Sequence, residues 1–555
     1  MTSGIEEQLI KIRKDSEERE AKREAEAAGI QYLNLENFPV SLGALKLLSK
    51  EEAILAEAAV VTQKDQDVAI VLRNKKKLET QTLIKKLESL GFKLTFFQVS
   101  KSGFEKLLND YDKIKELDKK ITGRIDVKRE TIVELAHKLK GVTLVKQEME
   151  KFSFDDQTVA DFLELLMAGA LANDVSDIHL EPYEKSVRVR YRLDGDLFDL
   201  WSNYPLDHYR AFLTRVKLLA GVKLDLGSRA QDGRFSVGMG DRDVELRVAI
   251  SPTSFGETVV IRLLDPKVVD LDLLNLGFRE DDLEIVDQEL KKPYGLILNT
   301  GPTGSGKTTT LYACLKRKNS SEVKIITIED PVEYRLAGIE QTQVDDASGY
   351  TFANGLRSIL RQDPDVILVG EVRDEETANI ALQAALTGHL VFSTVHANAA
   401  VGAIARLTNL KVKSLSIGPA LNLVIGQRLV KKLCERCKEV VDIRGGEMAL
   451  RLKEIVDRLP SRVNRGGVTY DKIYHAKGCA ECDFKGYRGR VALVELFLLE
   501  KEIVQLIELE VPESNLFEAA RRLGMVTMQE DGVIKVLKGI TTLEEVENAT
   551  GTLKK

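Results

Sequence analysis

The sequence predicts a multidomain α/β protein, and three observations carry that expectation. The chain has 555 residues, several times the roughly 100–200 residues of a single domain. Over 291–430, short apolar strand-like runs (GLILNT, KIITIED, VILVG, LVFSTVH) alternate with helical stretches, the pattern of a parallel sheet covered by helices. The first of those runs ends directly in a glycine-rich loop that opens a helix, where backbone N–H groups gather around phosphate.

Composition narrows the class. Apolar residues at 43% and charged residues at 30% fit a folded cytosolic protein with a charge-rich surface. The balance of 81 Lys and Arg against 87 Asp and Glu leaves a net charge of −6, so no global attraction to nucleic acid or anionic lipid is expected. No run approaches the roughly 18 apolar residues of a membrane span, and no apolar stretch with a cleavage site opens the chain. Neither membrane insertion nor a secretory route is expected. Five cysteines are too few for a disulfide framework, and four of them form two C-x-x-C pairs, which in a reducing compartment suggests metal.

In chain order, residues 1–28 alternate acidic and basic side chains and read as a solvated helix or frayed tail, with a partner-docking helix as the other reading. Residues 30–111 form an N-terminal α/β domain, with strands at VAIVL and KLTFFQV and a helix at TQTLIKKLESLG. A Lys- and Glu-rich helical connector follows at 112–150. Residues 151–266 form a second domain with the alternating strands VRVRYRLDG, DGRFSVGMGDRDVELRVAI and VVIRLLDP. A linker at 267–290 leads to the domain at 291–430, then a cysteine-bearing segment at 431–490 and a helical region at 491–555.

The loop GPTGSGKT comprises Gly301, Pro302, Thr303, Gly304, Ser305, Gly306, Lys307 and Thr308, with Thr309 next. It fits the P-loop pattern G-x-x-x-x-G-K-[ST] in the required strand–loop–helix context. Its glycines let backbone N–H groups wrap the phosphates, Lys307 neutralises their charge, and the Thr308 hydroxyl ligates Mg²⁺. Two strand-plus-acid segments follow: KIITIEDPVEY with Glu329, Asp330 and Glu333, and DPDVILVGEVRD with Glu371. A strand beside the P-loop strand is expected to carry the Mg²⁺-holding acid at its C-terminal end, and Glu371 fits that place. Glu333, just past a strand end where Pro331 fixes the turn, is the candidate for polarising the attacking water. Glu329 has the alternative of being a solvated strand-end acid. TGHLVFSTVHAN contributes His389 and His396, which spacing alone reads as hydrogen-bonded structural residues; for His396 a γ-phosphate sensor or subunit bridge stays open.

Cys434-x-x-Cys437 and Cys479-x-x-Cys482, separated by 41 residues, form two intact knuckles that suit tetrahedral Zn²⁺ with four thiolates. Such a closed site is structural. A redox pair and unligated cysteines are the competing readings; His475 is a possible substitute ligand, and Cys314 reads as a small packing residue.

With these boxes in order (GPTGSGKT, ITIEDPVEY, LRQDPDVILVGEVRD, TGHLVFSTVHAN), the chain resembles the secretion ATPase superfamily of type II secretion and type IV pilus assembly. SDIHLEP, YRLDG, QDGRF, GYRGR and GITTLEEV match family positions as well. The resemblance implies a RecA-like motor domain at 291–430 and a PAS-like domain at 151–266. It further implies ATP hydrolysis with Mg²⁺, Glu333 as catalytic base, Glu371 as Walker B acid, and Arg247 and Arg262 approaching the γ-phosphate. Arg357 and Arg361 match arginines near the nucleotide. A homohexamer on the cytoplasmic side of the inner membrane is implied, working on a platform protein with a cytoplasmic adaptor. The tetracysteine insert and the domain at 30–111 favour the assembly or secretion branch over the retraction branch. Two rivals remain at this level: a nucleic-acid-translocating P-loop motor, disfavoured by the acidic balance and single tryptophan, and a non-hydrolysing scaffold, disfavoured by intact Lys307, Glu333 and Glu371.

Overall fold

The computed structural model describes residues 16–35, 42–45, 48, 50–64, 67–75, 77–89, 92–108, 111, 124–126, 138–154, 158–224, 227, 229–238, 243–267 and 272–553. Residues 1–15 of the charged tail and most of 112–137 of the connector lie outside them. The chain divides into two compact units, Met1–Arg124 and Ile125–Lys555.

In the first unit, strands Gln31–Tyr32, Lys93–Gln98, Asp67–Leu72 and Ala58–Lys64 lie side by side in that order. The first three are parallel and the last antiparallel. Helix Leu78–Ser89 makes the crossover between the two strands read from sequence. The helical stretch at 16–28 is part of this unit rather than a solvated tail. Ala21 and Ala25 are buried, the Gln98 amide donates to Glu24 at 3.0 Å, and the Ser100 hydroxyl donates to Glu18 at 2.6 Å. Alternating charges had concealed the alanine stripe beneath them.

The second unit contains two large sheets. In one, strands Gln231–Gly238, Asp243–Thr253, Gly256–Leu264, Asp177–Pro182, Val187–Leu193 and Asp196–Tyr204 are successive neighbours, all paired antiparallel. Their inward residues alternate along each strand, and Val142, Val145 and Met149 of helix Val142–Glu150 complete the same core. The end of the expected connector thus belongs to this domain.

In the other sheet, Glu340–Gln343, Ile325–Glu329, Val366–Val369, Leu390–Val395, Gly295–Thr300, Leu421–Leu433 and Tyr487–Leu498 follow in spatial order. The first six run parallel and the last pair is antiparallel. Leu296 and Leu298 face one core and Ile297 the other, which is why the strand reads as an unbroken apolar run. The sheet takes its seventh strand from beyond the last cysteine, so the parallel-sheet domain extends past residue 430. The expected linker is also different: it holds helices Leu273–Leu276 and Glu280–Lys291. Leu283, Val286 and Leu290 of the latter pack into the core on one face of this sheet; a highly charged outer face masked this inner stripe.

A buried charge cluster ties that helix to the C-terminal helices. Arg279 donates to Asp281 at 3.0 Å, Asp282 at 2.5 Å and Asp531 at 2.8 Å. Asp531 also accepts the Val494 N–H at 2.9 Å and pairs with Lys535. Breaking such a set leaves uncompensated buried charge, which costs about 3–5 kcal/mol. Asp531→Ala is therefore expected to lower unfolding stability by about that amount in denaturant titration, with hydrogen exchange rising first across 280–291 and 528–537.

Candidate functional site

The P-loop connects the fully buried strand Gly295–Thr300 to helix Lys307–Lys318. Gly301 and Gly306 have positive φ, and a Cβ at Gly301 would lie 2.4 Å from the Gln427 carbonyl oxygen, so no other residue fits there. The Lys307 ammonium donates to the carbonyls of Gly301 at 2.9 Å and Pro302 at 3.1 Å. Burial pushes its pKa down, with Glu371 working against that shift. Thr308 is exposed in the first helical turn.

Gln427, which sequence reasoning missed, braces this loop from strand Leu421–Leu433. Its side chain is buried; it accepts from Thr310 at 2.8 Å and Asn299 at 3.2 Å and donates to the Ser305 carbonyl at 2.9 Å. A glutamine within an apolar strand run was the available signal.

Glu371 reaches the P-loop by a route unlike the one expected. Its strand, Val366–Val369, is not the neighbour of the P-loop strand; Leu390–Val395 lies between them. Strand order depends on crossovers that sequence does not encode locally. The loop after Val369 instead bends over the intervening strand: Val372 N–H donates to the Thr394 carbonyl at 3.0 Å, and Thr394 Oγ1 donates to the Gly370 carbonyl at 2.8 Å. That brings Glu371 into a cleft of about 490 Å³ with Lys307, Thr308, Glu333 and His396. His396 Nε2 lies 3.6 Å from Glu371, and Arg373, also missed from sequence, pairs with Glu371 and lies 3.4 Å from Asp330.

Glu329 is not a solvated acid. It is buried, accepts hydrogen bonds from Thr327 at 2.6 Å, Gln341 at 3.2 Å and the Tyr312 hydroxyl, and burial raises its pKa against those donors. Glu333 is half-buried and accepts from Arg247 at 2.9 Å; the same guanidinium bonds the Val332 carbonyl. Arg247 comes from the preceding domain. Register places Arg234, Arg247 and Arg262 directly opposite one another on three neighbouring strands, with Asp177 opposite Arg262. Arg262 lines the cleft and donates to Asp177 at 2.9 Å, which holds its pKa above the ordinary value. Arg234 was legible only through this register.

Other candidates are not brought to the cleft. His389 stands at the opposite end of its strand, with Nδ1 3.0 Å from the Ala384 carbonyl. Arg357 is exposed and pairs with Glu376, while Arg361 donates to the Arg357 carbonyl at 3.0 Å. Cys314 is fully buried in the motor core.

The four remaining cysteines converge, with all four sulfurs within 4.8 Å of one another. Sγ of Cys434 lies 4.0 Å from that of Cys479, and Sγ of Cys437 lies 3.7 Å from that of Cys482. Four thiolates at about 2.3 Å around a tetrahedral Zn²⁺ would stand about 3.8 Å apart, so the donor set fits the ion. The backbone N–H groups of Cys479 and Gly486 each donate to Cys482 Sγ at 3.2 Å, stabilising a thiolate there. His475 is exposed, outside this cluster, and lies 3.4 Å from Glu439.

Residues 153–548 match the family described as type II/IV secretion system protein. The chain belongs to that family. Its reading as a secretion ATPase superfamily member is thereby borne out. The type IV pilus assembly ATPase PilB of Myxococcus xanthus is 41% identical over 420 residues, covering 74% of this chain and 72% of that protein. The type II secretion system protein E of Pseudomonas aeruginosa is 43% identical over 399 residues, covering 71% of this chain and 76% of its own length. The Legionella pneumophila ATPase DotB shares the fold, with a TM-score of 0.51 at 20% identity over 71% of this chain and 95% of that one. Among the described residues, no helix is long and apolar enough to cross a membrane.

Two outcomes are expected from this geometry. Metal analysis of protein purified without chelator should find about one zinc per chain, and Cys434→Ser or Cys482→Ser should accelerate hydrogen exchange in 431–490 while the P-loop strand stays protected. Gln427→Leu, which removes one bond to the loop and two to the strand and helix that flank it, should weaken nucleotide binding by about tenfold or more in equilibrium titration, with little change in zinc content.

Proposed function

We propose that this chain is a Mg²⁺-dependent ATP hydrolase that works as a homohexamer and drives pilin or pseudopilin assembly. It does so from the cytoplasmic side of an inner membrane, on a platform protein and with a cytoplasmic adaptor. The observation that carries this reading is the cleft itself: Lys307 of the P-loop, Glu333 and Glu371 from separate loops and Arg262 from the preceding domain line one volume, and Arg247 reaches it through its bond to Glu333. ATP is the substrate that such a cleft suits. The P-loop N–H groups and Lys307 hold its phosphates, and Thr308 and Glu371, which line the same cleft, would hold Mg²⁺, which would screen the phosphate charge.

Glu333 orients and deprotonates the attacking water. That water bonds to the γ-phosphorus as the bond to the β-bridging oxygen breaks, giving ADP and phosphate. In the structure Glu333 is paired with Arg247; a γ-phosphate offers that guanidinium a more highly charged partner and releases the carboxylate. Arg247 and Arg262 then stabilise charge on the phosphoryl oxygens, a contribution worth about 10³–10⁵ in rate in P-loop enzymes. Hydrolysis removes their anion and loosens the hold between the domains, which converts chemistry into motion. Relatives named for type IV pilus assembly and type II secretion support the choice of task.

Steady-state ATPase assays and nucleotide titration test this. Lys307→Ala is expected to lose binding and turnover together. Glu333→Gln should keep binding and lose turnover, whereas Arg247→Ala and Arg262→Ala should cut turnover by more than about tenfold with much smaller changes in affinity. Equal loss of affinity in the Lys307 and Glu333 variants rejects the base assignment, and stimulation by single-stranded DNA would favour a nucleic-acid motor instead.

A further inference from the structure

The arginine-bearing domain meets the motor side at a second place, away from the nucleotide cleft. A cavity of about 790 Å³ separates the turn Asp194–Asp196 and residues 140–141 from the cysteine knuckle. Ordered contacts cross it. Asp194 accepts the Gly489 N–H at 2.7 Å, and Asp483 accepts the Thr143 N–H at 3.1 Å and its hydroxyl at 3.3 Å. Asp196 receives two ammonium groups, Lys431 at 3.0 Å and Lys485 at 3.3 Å, and Lys485 also stands 3.1 Å above the Phe198 ring centroid.

The knuckle's own geometry decides where these groups point. Asp483 and Phe484 both have positive φ, 48° and 61°, a conformation ordinary side chains adopt at a cost. They directly follow Cys482, whose sulfur is held by two backbone N–H groups. Asp483 and Lys485 are therefore aimed by the turn that closes the four-thiolate site. Lys431 lies three residues before Cys434 on the strand that carries Gln427 to the P-loop.

We propose that the tetracysteine knuckle is a latch: through Asp483, Lys485 and Gly489 it fixes the domain carrying Arg247 and Arg262 against the motor. At the cleft, the Arg247 bonds to Glu333 and the Val332 carbonyl change partner when phosphate binds, so the hold between the domains there varies with bound anion. At the knuckle it does not, so the latch serves as the fixed pivot about which the arginine row approaches or leaves the phosphates. The effect on turnover rests on the proposed role of those arginines; the latch itself does not.

The test uses the full chain and compares Asp194→Ala/Asp196→Ala with Cys482→Ser and the unaltered protein. The double variant should keep its zinc, yet hydrogen exchange at 141–145, 193–197 and 483–489 should rise by about tenfold or more, as expected for losing a charge-assisted hydrogen bond. Cys482→Ser should raise exchange at 141–145 and 193–197 too, although those residues lie in another domain. ATP turnover should fall in both, with nucleotide affinity little changed. Charge reversal, Asp196→Lys with Lys485→Asp, should restore part of the protection that Asp196→Lys alone removes. Wild-type exchange at 141–145 and 193–197 in Cys482→Ser would overturn the latch, as would wild-type exchange there in the double variant. An unaltered protein with no turnover but the expected exchange pattern would instead reject the ATPase reading and leave the latch standing.

Discussion

Arg234, Arg247 and Arg262 stand opposite one another on adjacent strands, and like charges in that relation repel. A sheet keeps such a row only where anions face it. Here two partial answers are present: Asp177 beside Arg262 and Glu333, from the other domain, beside Arg247. The row thus turns an antiparallel sheet with its own hydrophobic core into a surface that seeks negative charge across a domain boundary. The placement of the P-loop, the acids and the knuckle makes sense relative to that surface.

On the motor side, the parallel sheet concentrates function at the C-terminal ends of its strands. Four of them end at the cleft, with Thr300, Glu329, Val369 and Val395 leading into the P-loop, the Asp–Pro turn, the Glu371 loop and His396. The same order explains the residues left out. His389 directly precedes the strand that His396 directly follows, so His396 faces the cleft while His389 bonds a helix carbonyl on the far side. Arg357, on helix Phe352–Ile359, pairs with Glu376 of the next helix, and Arg361, in the turn that follows, donates to the Arg357 carbonyl.

Strand Leu421–Leu433 links what would otherwise be separate features. Gln427 braces the phosphate loop, Lys431 meets Asp196 of the arginine-bearing domain, and the strand ends one residue before Cys434. Its partner, Tyr487–Leu498, returns from the knuckle into the same sheet. The cysteine segment is an excursion between two paired strands of the motor, so its order is anchored on both sides by the sheet.

By itself the sequence determined what depends on short-range chemistry. A glycine-rich loop between an apolar strand and a helix, two C-x-x-C pairs and period-two strands each act through neighbours a few residues apart, and each stands where the residues indicated. Tertiary structure decided everything that depends on long-range crossing. It placed Leu390–Val395 between the P-loop strand and the strand of Glu371, drew Tyr487–Leu498 into the motor sheet, and aligned Arg234 with Arg247. It also turned the charged stretches at 16–28 and 280–291 into packed helices. The reason is physical: strand order and register are set by which surfaces bury together over the whole chain, and a charged outer face on a helix says little about the apolar stripe beneath it.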